Sequence, residues 1–413
     1  MTKPCCISSI AVITYILPVL ILLSGCVHQQ SVGEPYPRWG EEHSTPRSDD
    51  NPPLTLRVLP PSETALPVAC ILLVHGMNEY IGRYGDVARY FSKQFLVAGF
   101  DYYAHGLSNP VLHRADKALN SGDERQDVSQ AYLAQTPLYD LEPMRRDLDY
   151  ALKKTIQICD ARSGSKKPVF LVSHSLGSLI TASYLLQMQD EEAKSLIGRV
   201  QGVILLAPGF AVSEPPGWRG WLAGPLIKLS FHAETHFLNP QNDSLPLLLL
   251  NQMLSLVTVP VLDGLFEVFS WPGLRYVFTP TTPDWVVDYL TDSEKEKLRL
   301  QTDGWIIRRS LLRYIKGIEN EIVQFRRHMD DFAVPFYLIY SVHDPITAAW
   351  GNEDFVSATL NNHPDNAYLA LPELRYHQHL FLTKPCRNDI LKRIEQWLDR
   401  RIAVLKHAEA EIH

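Results

Sequence analysis

The 413-residue sequence predicts an α/β fold: a mostly parallel sheet with helices on both faces and an inserted helical cap. Three observations carry the prediction. Several short apolar runs are continuous and not alternating, the pattern of strands buried on both faces. Stretches with helical periodicity lie between them, and strand–helix alternation builds α/β sheets. One long interval, from Phe210 to about Leu311, has no strand-like run, and a connection of that length inside a compact domain is normally a functional insertion.

The chain opens with Lys3 and the apolar run Ile10–Leu23. That run is shorter than the roughly 18–20 residues of a spanning helix and has the flanks of a signal-peptide core. Leu23-Ser24-Gly25-Cys26 follows and resembles a bacterial lipobox. The resemblance implies cleavage before Cys26 and a diacylglycerol on its thiol. Two or more acyl chains anchor stably where a single chain does not. Val27, not aspartate, follows the cysteine, which in such lipoproteins implies the outer membrane. We therefore expect a leader over 1–25 and a lipid-anchored domain in the bacterial cell envelope. Residues 26–53 are rich in Ser, Glu, Asp, Pro and Arg and read as a flexible tether.

The expected strands are Cys70–Gly76, Phe95–Tyr103, Pro168–Ser175, Gly202–Gly209, Val334–Ser341 and Ala367–Pro372. Helical patterns span Asp86–Gln94, Leu141–Ile158, Ser178–Met188 and Asp389–Leu405. These give a core over 54–210 and 311–405 and a cap over 211–310. The cap holds five of the eight tryptophans (Trp218, Trp221, Trp271, Trp285 and Trp305) and the run Leu245–Leu250. Of the six cysteines, Cys70, Cys159 and Cys386 lie in the body. Cys70 sits in an apolar strand and reads as a free buried thiol. A Cys159–Cys386 bridge is open in an oxidising compartment. The net charge of −7, with no basic block, argues against nucleic acid.

Chemistry concentrates at strand ends. Ser175 follows the strand Pro168–Ser175 and precedes a helical pattern, the context of a nucleophile elbow. The elbow pattern is G-x-S-x-G; here Ser173 occupies the first glycine position and Gly177 keeps the second. A serine hydroxyl needs a histidine to take its proton and an acid to orient that histidine. Asp344 follows the strand Val334–Ser341, and His377 and His379 follow Ala367–Pro372. All leave the sheet at the edge where open α/β sheets place their sites. Either histidine serves the pattern, with His377 favoured by counting from the strand and His379 by counting back from Thr383-Lys384-Pro385. An oxyanion needs two converging backbone N–H groups, expected from Met77 and Leu176. His75, His105 and His174 lack metal-ligand spacing, so no metal and no cofactor is expected.

His75–Tyr84, "HGMNEYIGRY", resembles the HGxGEHSGRY stretch of monoacylglycerol lipases and bacterial lysophospholipases of the α/β-hydrolase superfamily. Asp101–Ser108 resembles the D-x-x-G-H-G-x-S stretch of the same family, with Ala104 in place of a glycine. Leu369–His377 resembles the strand leading to the family's histidine. The resemblance implies an α/β-hydrolase fold, with Ser175 as nucleophile, histidine as base, Asp344 as its orienter, and Met77 and Leu176 as the oxyanion hole. Histidines at the positions of His75 and His105 are structural in that family. Glu79 and Arg83 are expected to form a salt bridge or loop anchor. The implied activity is hydrolysis of lysophospholipid or monoacylglycerol esters; the expected lipid anchor at Cys26 makes a membrane the partner surface, and no obligate protein partner is expected. An acyltransferase using the same acyl-enzyme, or a non-catalytic binding protein on the same fold, is the alternative. A histidine base also implies a fall in rate below about pH 6–6.5.

Overall fold

The computed structural model describes residues 36–46, 53–109, 111, 140–187, 195–213, 282, 284–308 and 310–412. The leader with Cys26, the run Leu245–Leu250, Trp218, Trp221, Trp271 and most of the expected cap lie outside the described residues. Eight strands form one sheet in the order β1-β2-β4-β3-β5-β6-β7-β8. They are β1 (Glu41–Thr45), β2 (Leu54–Leu59), β3 (Cys70–Val74), β4 (Leu96–Phe100), β5 (Val169–His174), β6 (Val200–Leu206), β7 (Phe336–Ser341) and β8 (Ala367–Leu371). From β4 to β8 every pairing is parallel, while β1, β2 and β4 pair antiparallel at one edge.

Helices cover both faces, as continuous apolar strands require. On one side Leu72 and Val74 share a core with α2 (Glu142–Ser163), α3 (Leu176–Gln187), α6 (Leu312–His328) and α7 (Ala349–Thr359). On the other, Ile71 and Leu73 pack with α1 (Gly85–Phe91) and α8 (Lys384–Ile412). Two helices of the inserted stretch are described, α4 (Val287–Leu290) and α5 (Glu294–Thr302). The alternation of adjacent residues between two cores is the strand's two-residue period at work.

Two expectations change. Residues 36–46, expected within a flexible tether, belong to the fold. Trp39 is buried and its indole N–H donates to the Ile81 carbonyl at 3.0 Å. β1 then pairs with β2, register Glu41 to Val58. Its sequence, Glu-Glu-His-Ser-Thr, carries no apolar residue, so it gives no hydrophobic signal and suits an exposed edge. The second change concerns the cysteines. Cys70 is not a free thiol but is bonded to Cys159, and Cys386 is free and exposed. The reason is packing: Cys70 on β3 points into the same core that α2 presses Cys159 against.

The bridge closes a sequence separation of 89 residues between the sheet's centre and α2. Its removal by reduction, or by Cys70→Ser with Cys159→Ser, is expected to lower stability by about 2–4 kcal/mol. Denaturant titration with and without reductant measures this. Coincident curves would show that the cross-link is absent.

Candidate active site

The site sits where parallel strands end. β5 runs apolar to Val172, then the chain reverses into α3 through Ser175, which adopts φ 54°. Positive φ is costly for a residue with a Cβ and aims the side chain out of the turn. Backbone bonds hold the turn: Ser175 N donates to Leu206 O at 2.8 Å, and Ser178 N and Gly209 N return to Ser175 O. Gly177 is required here, since a Cβ would lie 2.3 Å from the His75 carbonyl oxygen. Ser173 is accommodated at the other position because its hydroxyl donates to Ile204 O at 3.1 Å on β6. The departure from the glycine pattern therefore leaves the turn intact.

Asp344 and His377 reach this serine from the ends of β7 and β8. Ser175 Oγ lies 2.7 Å from His377 Nε2, and His377 Nδ1 lies 2.8 Å from Asp344 Oδ2. All three are buried. Asp344 is held by its own turn: Oδ1 accepts from Ile346 N at 2.8 Å and Thr347 N at 3.0 Å, and Oδ2 from the Thr347 hydroxyl at 3.1 Å. Burial pushes its carboxyl up, but His377 and these N–H groups outweigh burial and hold it below the usual value. It is thus a carboxylate facing an imidazole.

The two histidines separate by environment. His379 lies in the buried interior, its Nε2 2.8 Å from Ser341 Oγ. Burial pushes its imidazole down to about 3. Its Nδ1 has no hydrogen-bond partner among the described residues. Of the two, His377 alone faces Ser175 and Asp344.

Leu176 is the first residue of α3, so its N–H has no acceptor within the helix. Met77 follows Gly76, which passes so close that a Cβ there would lie 3.1 Å from Ser175 Cβ. Both expected donors therefore border the serine. Glu79 fixes this loop: its Oε1 accepts from Gly76 N at 2.7 Å and Tyr84 OH at 3.0 Å and lies 3.1 Å from His174 Nδ1. Arg83 pairs with its other oxygen. Burial alone would raise the Glu79 carboxyl; Arg83 and His174 outweigh it and drive it far below the usual range. His75 and His105 are interior loop residues: His75 Nε2 accepts from Tyr102 N at 3.3 Å, and His105 Nδ1 lies 2.9 Å from Tyr103 O.

Sequence reasoning missed four contributors. Thr347 was legible in principle, as a hydroxyl three residues after an aspartate in an Asx-type turn. Gln378 accepts from Arg83 Nη2 at 2.9 Å, and Tyr36 accepts from Arg83 Nε at 3.3 Å. The backbone of α4 also enters: His377 N donates to Tyr289 O at 3.0 Å and Gln378 N to Leu290 O at 2.8 Å. Nothing local in sequence marks these partners, which come from distant segments.

A sheet of this order, with a serine on the β5–α3 turn and acid and histidine after β7 and β8, defines an α/β-hydrolase. The model of the hydrolase family described as serine aminopeptidase, S33, matches residues 65–381, and the chain belongs to that family. No curated protein matches the sequence. Among solved structures, the chain is similar in fold to a soluble variant of monoglyceride lipase from Saccharomyces cerevisiae in complex with a substrate analog. The two share 16% identity and a TM-score of 0.61, over 89% of this chain and 99% of that one. A monoacylglycerol lipase from Paleococcus ferrophilus is similar at 15% identity and TM-score 0.54, over 84% and 99% of the two chains. A carboxyl esterase from Bacillus coagulans in complex with glycerol is similar at 16% and 0.54, over 88% and 98%.

The buried imidazoles make acid the site's weak side. His105 and His379 are both pushed down to about 3 by burial. Once unfolded they bind protons below about 6.5. Between those values the unfolded chain holds more protons, so stability falls as pH drops, on the order of 2 kcal/mol per histidine at pH 5. Glu79 extends the loss below its ordinary value of 4.5, because its folded carboxyl resists protonation. Asp101, raised by its burial, opposes this. Thermal denaturation should give a clearly lower Tm at pH 5 than at pH 7.5. An equal Tm would show that these imidazoles are not buried neutral.

Proposed function

We propose that the protein is a serine hydrolase that cleaves carboxylic esters of single-chain lipids, lysophospholipid or monoacylglycerol, through an acyl-Ser175 intermediate. The observation that carries the reading is the unbroken chain Ser175 Oγ, His377 and Asp344, with contacts of 2.7 and 2.8 Å. With the Nδ1 proton donated to Asp344, His377 Nε2 is free to take the Ser175 proton. Ser175 Oγ attacks the ester carbonyl, and the N–H groups of Met77 and Leu176 stabilise the resulting oxyanion. The intermediate collapses, the alcohol leaves with the proton from His377, and the acyl group stays on Ser175. Water, deprotonated by the same histidine, then releases the fatty acid.

Three features support an apolar, single-chain substrate. The inserted stretch is rich in tryptophan. One of these, Trp305, is buried against Tyr80 beside the Met77 loop, with ring centroids 5.8 Å apart. The fold's similar structures include two monoacylglycerol lipases. Buried apolar area contributes roughly 25 cal/mol per Å², so an acyl chain covered by such side chains binds well.

We also propose that Cys26 carries a lipid that anchors the chain to the bacterial envelope, with the outer membrane as its destination. The Cys70–Cys159 disulfide supports export, because such bonds persist in oxidising compartments.

A fluorophosphonate probe should label wild-type protein and not Ser175→Ala. The variant should lose about 10⁴-fold or more in ester hydrolysis while remaining folded. A folded wild-type chain that neither labels nor hydrolyses a medium-chain acyl ester would put the non-catalytic reading first.

Cys26→Ser should move the protein from the membrane to the soluble fraction and leave hydrolysis of a water-soluble ester unchanged. Retention in the membrane fraction would remove Cys26 as the anchor.

A further inference from the structure

Hydrolysis as derived above uses no residue ahead of the sheet, yet one such residue is built into the site's support. We propose that Tyr36 is a positioning residue for His377, acting through Arg83 and Gln378. This rests on the serine-hydrolase reading and adds to it a part of the chain whose composition reads as a tether.

The argument begins with the Arg83 guanidinium, whose side chain is fully buried. Each of its three nitrogens serves a different segment. Nη1 donates to Glu79, which holds the Met77 loop. Nη2 donates to Gln378 Oε1 at 2.9 Å, beside His377. Nε donates to the Tyr36 hydroxyl at 3.3 Å. A guanidinium is a rigid planar fork, so the angle of one arm sets the others. Tyr36 is itself fixed. Its hydroxyl donates to Glu296 on α5, the Arg299 guanidinium lies 4.5 Å from its ring centre, and Tyr80 meets it edge-on at 6.3 Å. The ring is therefore a stop against which the fork rests.

Gln378 transmits the setting. Its backbone N–H is held by Leu290 O and its side chain by Arg83, while the N–H of His377 is held by Tyr289 O. The Arg83 contact ties this loop to the Met77 loop, beside the edge-on Tyr84–Phe381 ring contact at 5.1 Å and the His174 ring, which lies between Glu79 Oε1 and the His377 carbonyl. Without the Tyr36 hydroxyl, Nε loses its acceptor in a buried setting, which favours rotation of the fork to find another. Gln378 and the imidazole beside it then lose their register with Ser175.

The decisive variant is Tyr36→Phe in the full chain. It keeps the ring contacts with Arg299 and Tyr80 and removes only the hydroxyl, and Glu296 keeps its bond from Arg299 at 2.8 Å. On a water-soluble acyl ester we expect kcat to fall about tenfold with KM within about twofold, since misplacement acts on the chemical step. Fluorophosphonate labelling of Ser175 should slow by a similar factor at temperatures well below Tm. Combining Tyr36→Phe with Gln378→Ala should cost little more than either alone, the mark of two residues on one relay. A lowered Tm with wild-type kcat and labelling would overturn the proposal and make Tyr36 a fastener of the N-terminal segment. Should Tyr36→Phe not fold, Gln378→Ala alone decides, because it leaves the Tyr36–Arg83 contact in place; wild-type kcat in that variant overturns the relay. An unlabelled wild type overturns the hydrolase reading and the relay with it, whereas a labelled wild type with unaffected variants overturns the relay only.

Discussion

The buried ion pair between Arg83 and Glu79 is the constraint on which the site depends. Both side chains are almost wholly removed from water. Two charges taken into the interior cost several kcal/mol each, and the cost is met only when every polar atom finds a partner. Glu79 meets it with the amide of Gly76, the hydroxyl of Tyr84 and the ring of His174. Arg83 meets it with Tyr36, Gln378 and Glu79, and lies 4.1 Å over the Phe381 ring. Satisfying the pair therefore draws four stretches of chain to one point: residues 36, 76–84, 174 and 378–381. Those stretches carry the loop proposed to form the oxyanion hole, the residue before Ser175 and the residues after His377. The geometry of the candidate site is in this sense a by-product of solvating a buried charge with protein.

The same logic explains the elbow. Ser175 at φ 54° stores strain that neighbours must over-determine. The end of β6 and the turn after it do so through Leu206 O and Gly209 N, and the close approach of the His75 carbonyl leaves room for glycine alone at position 177. Position 173 has a different neighbour. The carbonyl of Ile204 stands where a hydroxyl can reach it, so serine replaces glycine and gains a hydrogen bond. Ala104, which stands where the related motif has glycine, adopts φ 66° and shows what glycine is for at that point.

Legibility in the sequence followed the range of the forces involved. The five strands β3 to β7 announce themselves because burial on both faces requires continuous apolar residues, a local signal, and β8, half-exposed at the sheet's edge, shows through its apolar run alone. Ser175, Asp344 and His377 could be read because each stands at the end of such a strand, so locating the strand locates the residue. β1 could not be read, since an exposed edge strand of Glu, Glu, His, Ser and Thr has no hydrophobic pattern. Cys70 pairs with Cys159 through the packing of α2 on the sheet, and spacing carries no trace of that. The choice between His377 and His379 required the folded partners of two buried imidazoles, Ser341 for one and Asp344 with Ser175 for the other. Tyr36 and Gln378 were illegible for a further reason: their roles exist only relative to Arg83, far from one in the chain and close to the other only by way of the folded loop.

The chain returning from the insertion closes the arrangement. Residues 289 and 290 accept the N–H groups of His377 and Gln378, the Thr291 hydroxyl donates to Phe381 O at 2.7 Å, and Asp292 caps Thr383. A few residues on, Asp303 accepts from the Tyr80 hydroxyl at 2.7 Å, and Ile307 N donates to Asn78 O at 3.0 Å. One short stretch, 289–307, thus grips the loop after β8 and the loop after β3. These are the two segments proposed to supply base and oxyanion hole. Any displacement of that stretch moves both at once. The stretch itself belongs to the scaffold of the candidate site, though by sequence it lies within the expected cap.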